Sequence, residues 1–220
     1  GKTLIVIDPR KTELVKYANY HLQLRPGTNV ALLNMMLYSI IKENLEDKDF
    51  ITARTEGYED FKQGILNLNI DELEKVTGVD RQLVREAAMA YASAPNAMSF
   101  HGLGVTEHSY GTYTVMLIAD LAMITGNIGR RGVGVNPLRG QNNVQGAADM
   151  GCQPYQGAGY LDVTNPEIHK MYEEFYGAKL PLHTGYKIPQ MYDAALSGKL
   201  KAIWVVGEDM AQTDPNTHHV

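Results

Sequence analysis

The sequence predicts an α/β protein whose core is a parallel-sheet αβα sandwich with helical insertions. Three short apolar runs, at residues 4–7, 97–100 and 201–206, each end in a polar or glycine-containing loop. Strands of parallel sheets are buried on both faces and therefore read as continuous apolar runs. Segments with apolar residues at helical spacing lie between these runs, and this order is typical of helices that connect parallel strands.

The first part of the chain combines a strand with a capped helix. The run at residues 4–7 is followed by Asp8-Pro9-Arg10, and a weakly helical stretch leads to the turn Arg25-Pro26-Gly27-Thr28-Asn29. Thr28 or Asn29 can cap a helix over residues 30–43. The buried face of that helix is expected to consist of Leu33, Leu37, Ile40 and Ile41.

Helices dominate the next segment. Residues 58–66, 70–77 and 80–92 have helical spacing, and Gly78 and Asp80 are a typical helix stop and a typical N-cap. The second strand, at residues 97–100, runs into a glycine loop and then a long helix near residues 112–125. Strand, glycine loop and helix form half of a nucleotide-binding layer.

Glycine becomes frequent between residues 126 and 159, where periodicity is lost except for a short helix predicted at residues 144–150. This composition favours a segment that shapes a site. Helices are expected at residues 166–176 and 188–196, and the third strand ends in Gly207-Glu208-Asp209.

Composition excludes several classes of protein. A net charge of -5 leaves no basic face for nucleic acid. Cys152 is the only cysteine, so neither an internal disulfide nor a Cys-x-x-Cys metal site can form. No apolar run approaches the roughly 20 residues that span a bilayer, so direct membrane insertion is not expected. A cytoplasmic location is the expectation.

The two ends of the sequence predict an internal fragment over residues 1–220. Gly1-Lys2-Thr3 runs straight into the first strand, and the chain stops at His218-His219-Val220, where a helix is expected to start. A natural domain rarely ends in this way.

The three strand ends form the first candidate site. If the strands share one parallel sheet, Asp8-Pro9-Arg10, Gly102-Leu103-Gly104 and Gly207-Glu208-Asp209 lie along one edge, where amides and carboxylates can bind a nucleotide. Ordinary loop or capping chemistry is an equally good interpretation of each loop taken alone. A Gly-x-Gly-x-x-Gly dinucleotide motif is absent, because Glu107 stands where the third glycine belongs.

The second candidate site is the Arg139 segment, from Asn136 to Gly146, in which Arg139 stands among five carboxamide side chains. A guanidinium matches a carboxylate in shape and charge, and amides can both donate to and accept from a polar heterocycle. The alternative is a solvated loop before a helix cap. His101, His108 and His183 could carry protons. None of them has a partner at metal-ligand spacing, which favours structural roles.

The run Asn136-Pro137-Leu138-Arg139-Gly140-Gln141-Asn142-Asn143-Val144-Gln145-Gly146, followed by Asp149-Met150-Gly151, closely resembles the formate dehydrogenase branch of the molybdopterin oxidoreductases. The loops at residues 8–11, 25–29, 102–106, 182–186 and 207–209 occur in the order of that family. The resemblance implies a Rossmann-like piece of a larger catalytic subunit. The missing parts would be the N-terminal metal-ligand segment with its 4Fe-4S cluster and the C-terminal dinucleotide-binding domain.

The resemblance also implies the chemistry: reversible oxidation of formate to carbon dioxide at molybdenum or tungsten held by two molybdopterin guanine dinucleotides (bis-MGD). Arg139 would anchor formate beside the metal, and Gln141 would line the cofactor nearby. The expected cofactor contacts elsewhere are Asp8, Arg10, Gly27, Asn29, Leu103, Glu107, Gly207, Asp209 and Thr213. Relatives carry Gln where this chain has Glu107. Electron-transfer subunits of the iron–sulfur, flavin or hydrogenase type are the expected partners, and the fragment alone is expected to be inactive.

Three other functions stay open at this point. A nitrate or other oxyanion reductase of the same superfamily could use Arg139 in the same way. A cofactor-free structural homologue, as found in respiratory complex I, would keep the fold but lose the site. A separate nucleotide-binding protein of 220 residues is the third.

Overall fold

The computed structural model describes residues 2–220, which form two compact units. The first unit extends to Gly140, and the second runs from Gln141 to Val220. The strands of the first unit are β1 (Ile5–Ile7), β2 (Tyr20–Leu22), β3 (Met98–His101) and β4 (Gly134–Pro137). Its helices are α1 (Asn29–Lys42), α2 (Lys48–Arg54), α3 (Tyr58–Leu66), α4 (Ile70–Thr77), α5 (Arg81–Ala92), α6 (Leu103–Thr106) and α7 (Gly111–Ile124).

The second unit is helical in its regular structure. Its helices are α8 (Val144–Asp149), α9 (Pro166–Tyr176), α10 (Ile188–Leu196) and α11 (Met210–Thr213). Short 3-10 turns lie at Glu13–Tyr17 in the first unit and at Ala158–Tyr160 in the second. None of the helices in residues 2–220 has the length and apolarity that a bilayer crossing requires.

The first unit contains two parallel sheets of two strands each. Ile5 pairs with Tyr20 in the β1–β2 sheet, while Met98 pairs with Gly134 and His101 with Pro137 in the β3–β4 sheet. Helix α7 connects β3 to β4 and packs against both strands, which is the usual way to join parallel neighbours. The α/β class and the parallel pairing are therefore confirmed.

The expectation that three strand ends share one sheet edge is wrong. Asp8 follows a strand of one sheet and Gly102 follows a strand of the other. The expected third strand at residues 201–206 has no strand conformation, and the Trp204 side chain in its middle is 93% exposed. A strand exists only when another strand supplies hydrogen bonds to its backbone, and among the described residues no strand pairs with this segment.

Helix α1 forms the centre of the core of the first unit. It packs against α3, α4, α5 and α7. The predicted face of Leu33, Leu37, Ile40 and Ile41 is buried, and Leu32, Met35 and Met36 are buried as well. Burial this wide on one helix needs neighbours on several sides, so α1 is a core helix rather than a surface helix with one apolar stripe.

Helix ends are mostly set by local chemistry. The Asp80 carboxylate accepts a hydrogen bond from the Leu83 amide at 3.0 Å, as its N-cap position predicts, and Gly78 ends α4 with a φ of 71°. Thr28 stands at the N-cap of α1, but its hydroxyl donates to the Arg25 carbonyl at 2.7 Å instead of capping the helix. The hydroxyl therefore stabilises the turn that precedes α1.

Candidate functional site

The carboxyl end of the β3–β4 sheet brings the Arg139 segment against the glycine loop. The Leu138 amide donates to the His101 carbonyl at 2.6 Å, which extends the strand pairing by one residue. A Cβ atom at Gly102 would lie 3.2 Å from the Leu138 carbonyl oxygen, closer than most side chains tolerate. Glycine at position 102 therefore lets the two strand ends approach each other, and Arg139 begins directly beyond this contact.

Arg139 lies exposed at this strand end. A Cβ atom at the next residue, Gly140, would lie 3.7 Å from Leu103 Cδ1, so the chain after Arg139 runs beside the start of α6. Within residues 2–220 no carboxylate forms an ion pair with the guanidinium. A cation that is not neutralised by the protein is available to an anionic ligand.

His101, the last residue of β3, lies buried beside this cation. It is 7% exposed, and its Nδ1 atom has no hydrogen-bond partner in the structure. Burial lowers the pKa of the imidazole, and the positive charge of Arg139 lowers this pKa further. The ring is therefore neutral near pH 7, and one of its nitrogen atoms is unused by the described residues.

The loop after β1 is stabilised by the strand beside it. The Arg10 amide donates to the Asp8 carboxylate at 2.7 Å, and His21 donates through Nε2 to the Asp8 carbonyl at 3.0 Å. The Gln23 amide group donates to the Pro9 carbonyl at 3.0 Å. Residues at the end of β2 thus fix the loop that carries Asp8 and Arg10, while the Arg10 side chain stays 82% exposed.

A concave surface of the first unit adjoins Gly27, which has a φ of 83° in the turn before α1. It encloses about 420 Å³. The residues that border it include Gly27, Asn34, Leu73, Val76, Tyr110 and Tyr113. Two tyrosine rings and an apolar floor suit a planar heterocycle, to which a carboxamide can both donate and accept hydrogen bonds. Asn29 is the first residue of α1 in the same segment.

Leu103 and Glu107 mark the two ends of α6. Leu103 begins the helix and is 39% exposed, and the Glu107 amide donates to the Leu103 carbonyl at 2.9 Å. The Glu107 side chain is exposed, and it forms no ion pair with a basic side chain of residues 2–220. Both residues are accessible to a ligand.

In the second unit, Gln141 is exposed and precedes α8. Asn143 caps this helix by accepting from the Gly146 amide at 3.1 Å. Gln145 donates to the Asp149 carboxylate at 2.9 Å and to the Tyr160 hydroxyl. Two of the five carboxamides of the segment therefore organise α8 itself, while the Gln141 side chain stays exposed and accessible to a ligand.

The loop after residues 201–206 keeps a local structure although the strand before it is absent. Gly207 has a φ of 71°, and Asp209 accepts from the Gln212 side chain at 2.9 Å. The Thr213 hydroxyl donates either to the Glu208 carboxylate or to the Asp209 carbonyl, each at 3.0 Å. The structure thus brings Asp209 and Thr213 together around the single turn of α11.

The predicted site residues fall into local groups. Asp8 lies with Arg10, Leu103 lies beside the Arg139 segment, and Asp209 lies with Thr213. Sequence patterns miss the aromatic wall beside Gly27, because Tyr110 and Tyr113 lie more than 80 positions further along the chain. Among residues 2–220, no three His, Cys, Asp or Glu side chains converge as metal ligands.

Comparison with known proteins gives consistent matches. The family described as molybdopterin oxidoreductase matches residues 1–220. The F420-dependent formate dehydrogenase subunit alpha of Methanocaldococcus jannaschii is 46% identical over 100% of this chain and 32% of its own length. Formate dehydrogenase H of Escherichia coli is 44% identical over 97% of this chain and 30% of its own length.

A solved structure is also similar. Acetylene hydratase from Pelobacter acetylenicus matches with a TM-score of 0.56 and 29% identity, over 59% of this chain and 18% of its own. The chain spans about a third of the length of the curated relatives it matches.

Proposed function

The chain belongs to the molybdopterin oxidoreductase family, and from that premise we propose that it is part of the catalytic subunit of a formate dehydrogenase. The reaction is the oxidation of formate to carbon dioxide, a proton and two electrons, or its reverse. The observation that carries the proposal is Arg139, an exposed cation that forms no ion pair within residues 2–220 and lies at the carboxyl end of two parallel strands. The names of the relatives that match at 44% and 46% identity supply the substrate.

Arg139 suits formate for electrostatic reasons. A carboxylate that leaves water needs a fixed positive charge, and a guanidinium keeps its proton when it is desolvated. Its two parallel N–H groups match the two formate oxygens, so the C–H bond would point away from the arginine. Arg139 thereby binds and orients the substrate.

The described residues fit a large cofactor with polar and planar parts. In the part of the chain that the structure describes, a buried nitrogen of His101 is unpaired and Arg139 has no counter-ion, and a cavity of about 420 Å³ with two tyrosines lies beside Gly27. When bound, a molybdopterin cofactor accepts the two electrons that formate loses. We propose the bis-MGD form with molybdenum or tungsten, and a 4Fe-4S cluster in a segment outside this chain.

The proposed cofactor contacts use three kinds of chemistry. Carboxylates at Asp8 and Asp209 can accept from guanine or ribose, and Glu107 could do so at the end of α6. Amides and hydroxyls at Asn29, Gln141 and Thr213 can donate. Four further contacts need backbone access or a cation, namely Gly27, Gly207 and Leu103 for the first and Arg10 for the second. Electron-transfer subunits would receive the electrons.

The test of Arg139 uses the full-length enzyme and three variants. Arg139→Ala should lower kcat/KM for formate at least about thirtyfold, since the loss of one partner of a desolvated charge pair costs about 2 kcal/mol or more. Arg139→Lys should fall between the wild type and Arg139→Ala, because it keeps the charge but not the planar fork. Arg54→Ala removes an exposed arginine from α2 and should leave the rate unchanged.

Metal and pterin contents are measured in parallel and should stay the same in all three variants. Wild-type formate turnover by Arg139→Ala would refute the role of Arg139. Nitrate reduction without formate oxidation by the wild type would assign the site to another oxyanion.

A further inference from the structure

The environment of His101 suggests that Arg139 does not bind an anion alone. His101 is opposite Pro137 in the β3–β4 register, two residues before Arg139, and its carbonyl accepts from the Leu138 amide. The backbone therefore fixes the histidine next to the start of the Arg139 segment. Its side chain is more than nine-tenths buried, and its Nδ1 atom lacks a partner.

An unpaired buried nitrogen is unfavourable unless a ligand supplies a hydrogen-bond partner for it. Leaving such a group unpaired costs about 1–3 kcal/mol, and most buried polar atoms in proteins avoid this cost. A purely structural buried histidine usually forms a hydrogen bond with the protein backbone or a neighbouring side chain. His101 does not, whereas His21 and His169 each bond a backbone carbonyl, at 3.0 Å and 2.9 Å respectively.

We propose that His101 is a positioning residue of the Arg139 site, and that it takes up a proton when a small carboxylate or oxyanion binds to Arg139. The inference rests on the proposed function, because it deepens the account of the same anion site. In the free protein two adjacent cations would repel each other, so the imidazole stays neutral. A bound anion cancels the charge of Arg139 and makes the protonated imidazole favourable, with a second N–H donor near the anion.

The charged groups near His101 are compatible with proton uptake on anion binding. Strand β4 has no ionisable side chain, and the ionisable residues of α7, which packs on β3, are Tyr113 and Asp120. The hydroxyl groups of Tyr91 in α5 and Ser99 in β3 share a hydrogen bond of 3.2 Å. Burial raises the pKa of the Asp120 carboxyl. Glu107 follows α6 and is exposed to solvent. Arg139 is the charged group whose field lowers the pKa of His101.

Linkage gives the sign of the effect. Anion binding raises the pKa of His101 from its lowered value in the free protein, so protons are taken up at pH values between the free and the bound pKa. In that window the dissociation constant should increase by up to tenfold for each pH unit that the solution is raised. Above the window the ring is neutral in both states, and affinity should no longer depend on its protonation.

Isothermal titration calorimetry on the oxidised full-length holoenzyme can test this with nitrate, a planar monoanion that is not reduced without an electron donor. Titrations in two buffers of different ionisation enthalpy give the number of protons taken up. The wild type should take up a fraction of one proton, up to one, and its affinity should weaken as the pH rises through the window.

Three variants separate a positioning role from a structural one. His101→Gln keeps a hydrogen-bonding group that cannot titrate, so proton uptake should disappear and the affinity should become independent of pH. His101→Leu should bind nitrate about threefold to tenfold more weakly than His101→Gln, since one hydrogen bond is lost. His218→Gln changes an exposed histidine of the second unit and should behave like the wild type.

The proposal is overturned if nitrate does not bind to the wild type, or if it binds without proton uptake and with the same pH dependence in His101→Gln. Misfolding of His101→Leu leaves the comparison between the wild type and His101→Gln decisive. An enzyme that takes up protons with nitrate but does not oxidise formate would contradict the proposed function and support this inference.

Discussion

Asn127 illustrates how one buried polar residue sets the position of the β3–β4 sheet. It is completely buried, its Oδ1 accepts from the Ala97 amide at 3.0 Å, and its Nδ2 donates to the Thr125 hydroxyl at 2.9 Å. Arg130 also donates to Oδ1, at 3.2 Å. The side chain thus connects the end of α7 to the residue before β3.

Replacing Asn127 with Ala should lower the free energy of unfolding by about 1–3 kcal/mol, because the buried Ala97 amide loses its acceptor. Urea denaturation followed by circular dichroism measures the change. Asn67→Ala is the matched control, since Asn67 is exposed at the C-cap of α3. Equal midpoints for the two variants would contradict the structural role of Asn127.

The environment of His101 could not be predicted from residue types alone. Sequence patterns favour a structural role, because no other ligand stands at a suitable spacing from it. Its burial, its unpaired Nδ1 and its place beside Arg139 depend on strand register. Register is a pairing between segments more than 30 residues apart, and no local pattern encodes it.

At the scale of elements, helix boundaries follow local signals closely. The structure reproduces the helices predicted at residues 58–66, 70–77, 166–176 and 188–196 as α3, α4, α9 and α10. Caps, glycines and apolar spacing act within a few residues, so they are visible in the sequence. The sequence does not predict the strands β2 and β4 or the helix α2, because these elements are short and lack a distinct period.

Two glycines, one at the end of α4 and one inside α3, should change the stability in opposite directions when replaced by alanine. Gly78 has a φ of 71°, and a Cβ atom there would lie 3.2 Å from Arg25 Nε, so Gly78→Ala should destabilise the protein by about 1–2 kcal/mol. Gly64 lies inside α3, and a Cβ atom there would have no neighbour within 4 Å, so Gly64→Ala should stabilise the protein by about 0.5–1 kcal/mol.

Thermal or urea unfolding of the two variants beside the wild type measures both effects. The signs should be opposite. A Gly78→Ala variant at least as stable as the wild type would show that α4 does not end in the left-handed conformation.

At the scale of the whole molecule, the expected and the observed structure differ where a strand needs a partner strand from a distant part of the chain. Residues 201–206 have the composition of a buried strand, yet Trp204 is 93% and Val206 78% exposed. Apolar segments exposed to this extent are typical of surfaces that bind another segment or another protein. Composition indicates what this segment prefers, and the availability of a neighbouring strand decides whether it forms.

Trp204 is the single tryptophan of the chain, so its fluorescence reports this segment alone. In the 220-residue chain its emission should be red-shifted, and iodide should quench it as efficiently as free tryptophan, because the indole lies in water. The variant Val206→Lys should leave both properties unchanged. Blue-shifted emission with weak quenching would show that the segment is buried.

The sequence by itself determined the α/β class, most helix boundaries, the membership suggested by the Arg139 segment and the residue types of the candidate site. These properties depend on local periodicity, capping and unusual runs of side chains. Only the tertiary structure decided that β1 and β3 belong to separate sheets, that residues 201–206 are unpaired, and that His101 lies buried beside Arg139. Such features depend on contacts between residues far apart in the chain. The free energy of these contacts cannot be inferred from any short segment of the sequence.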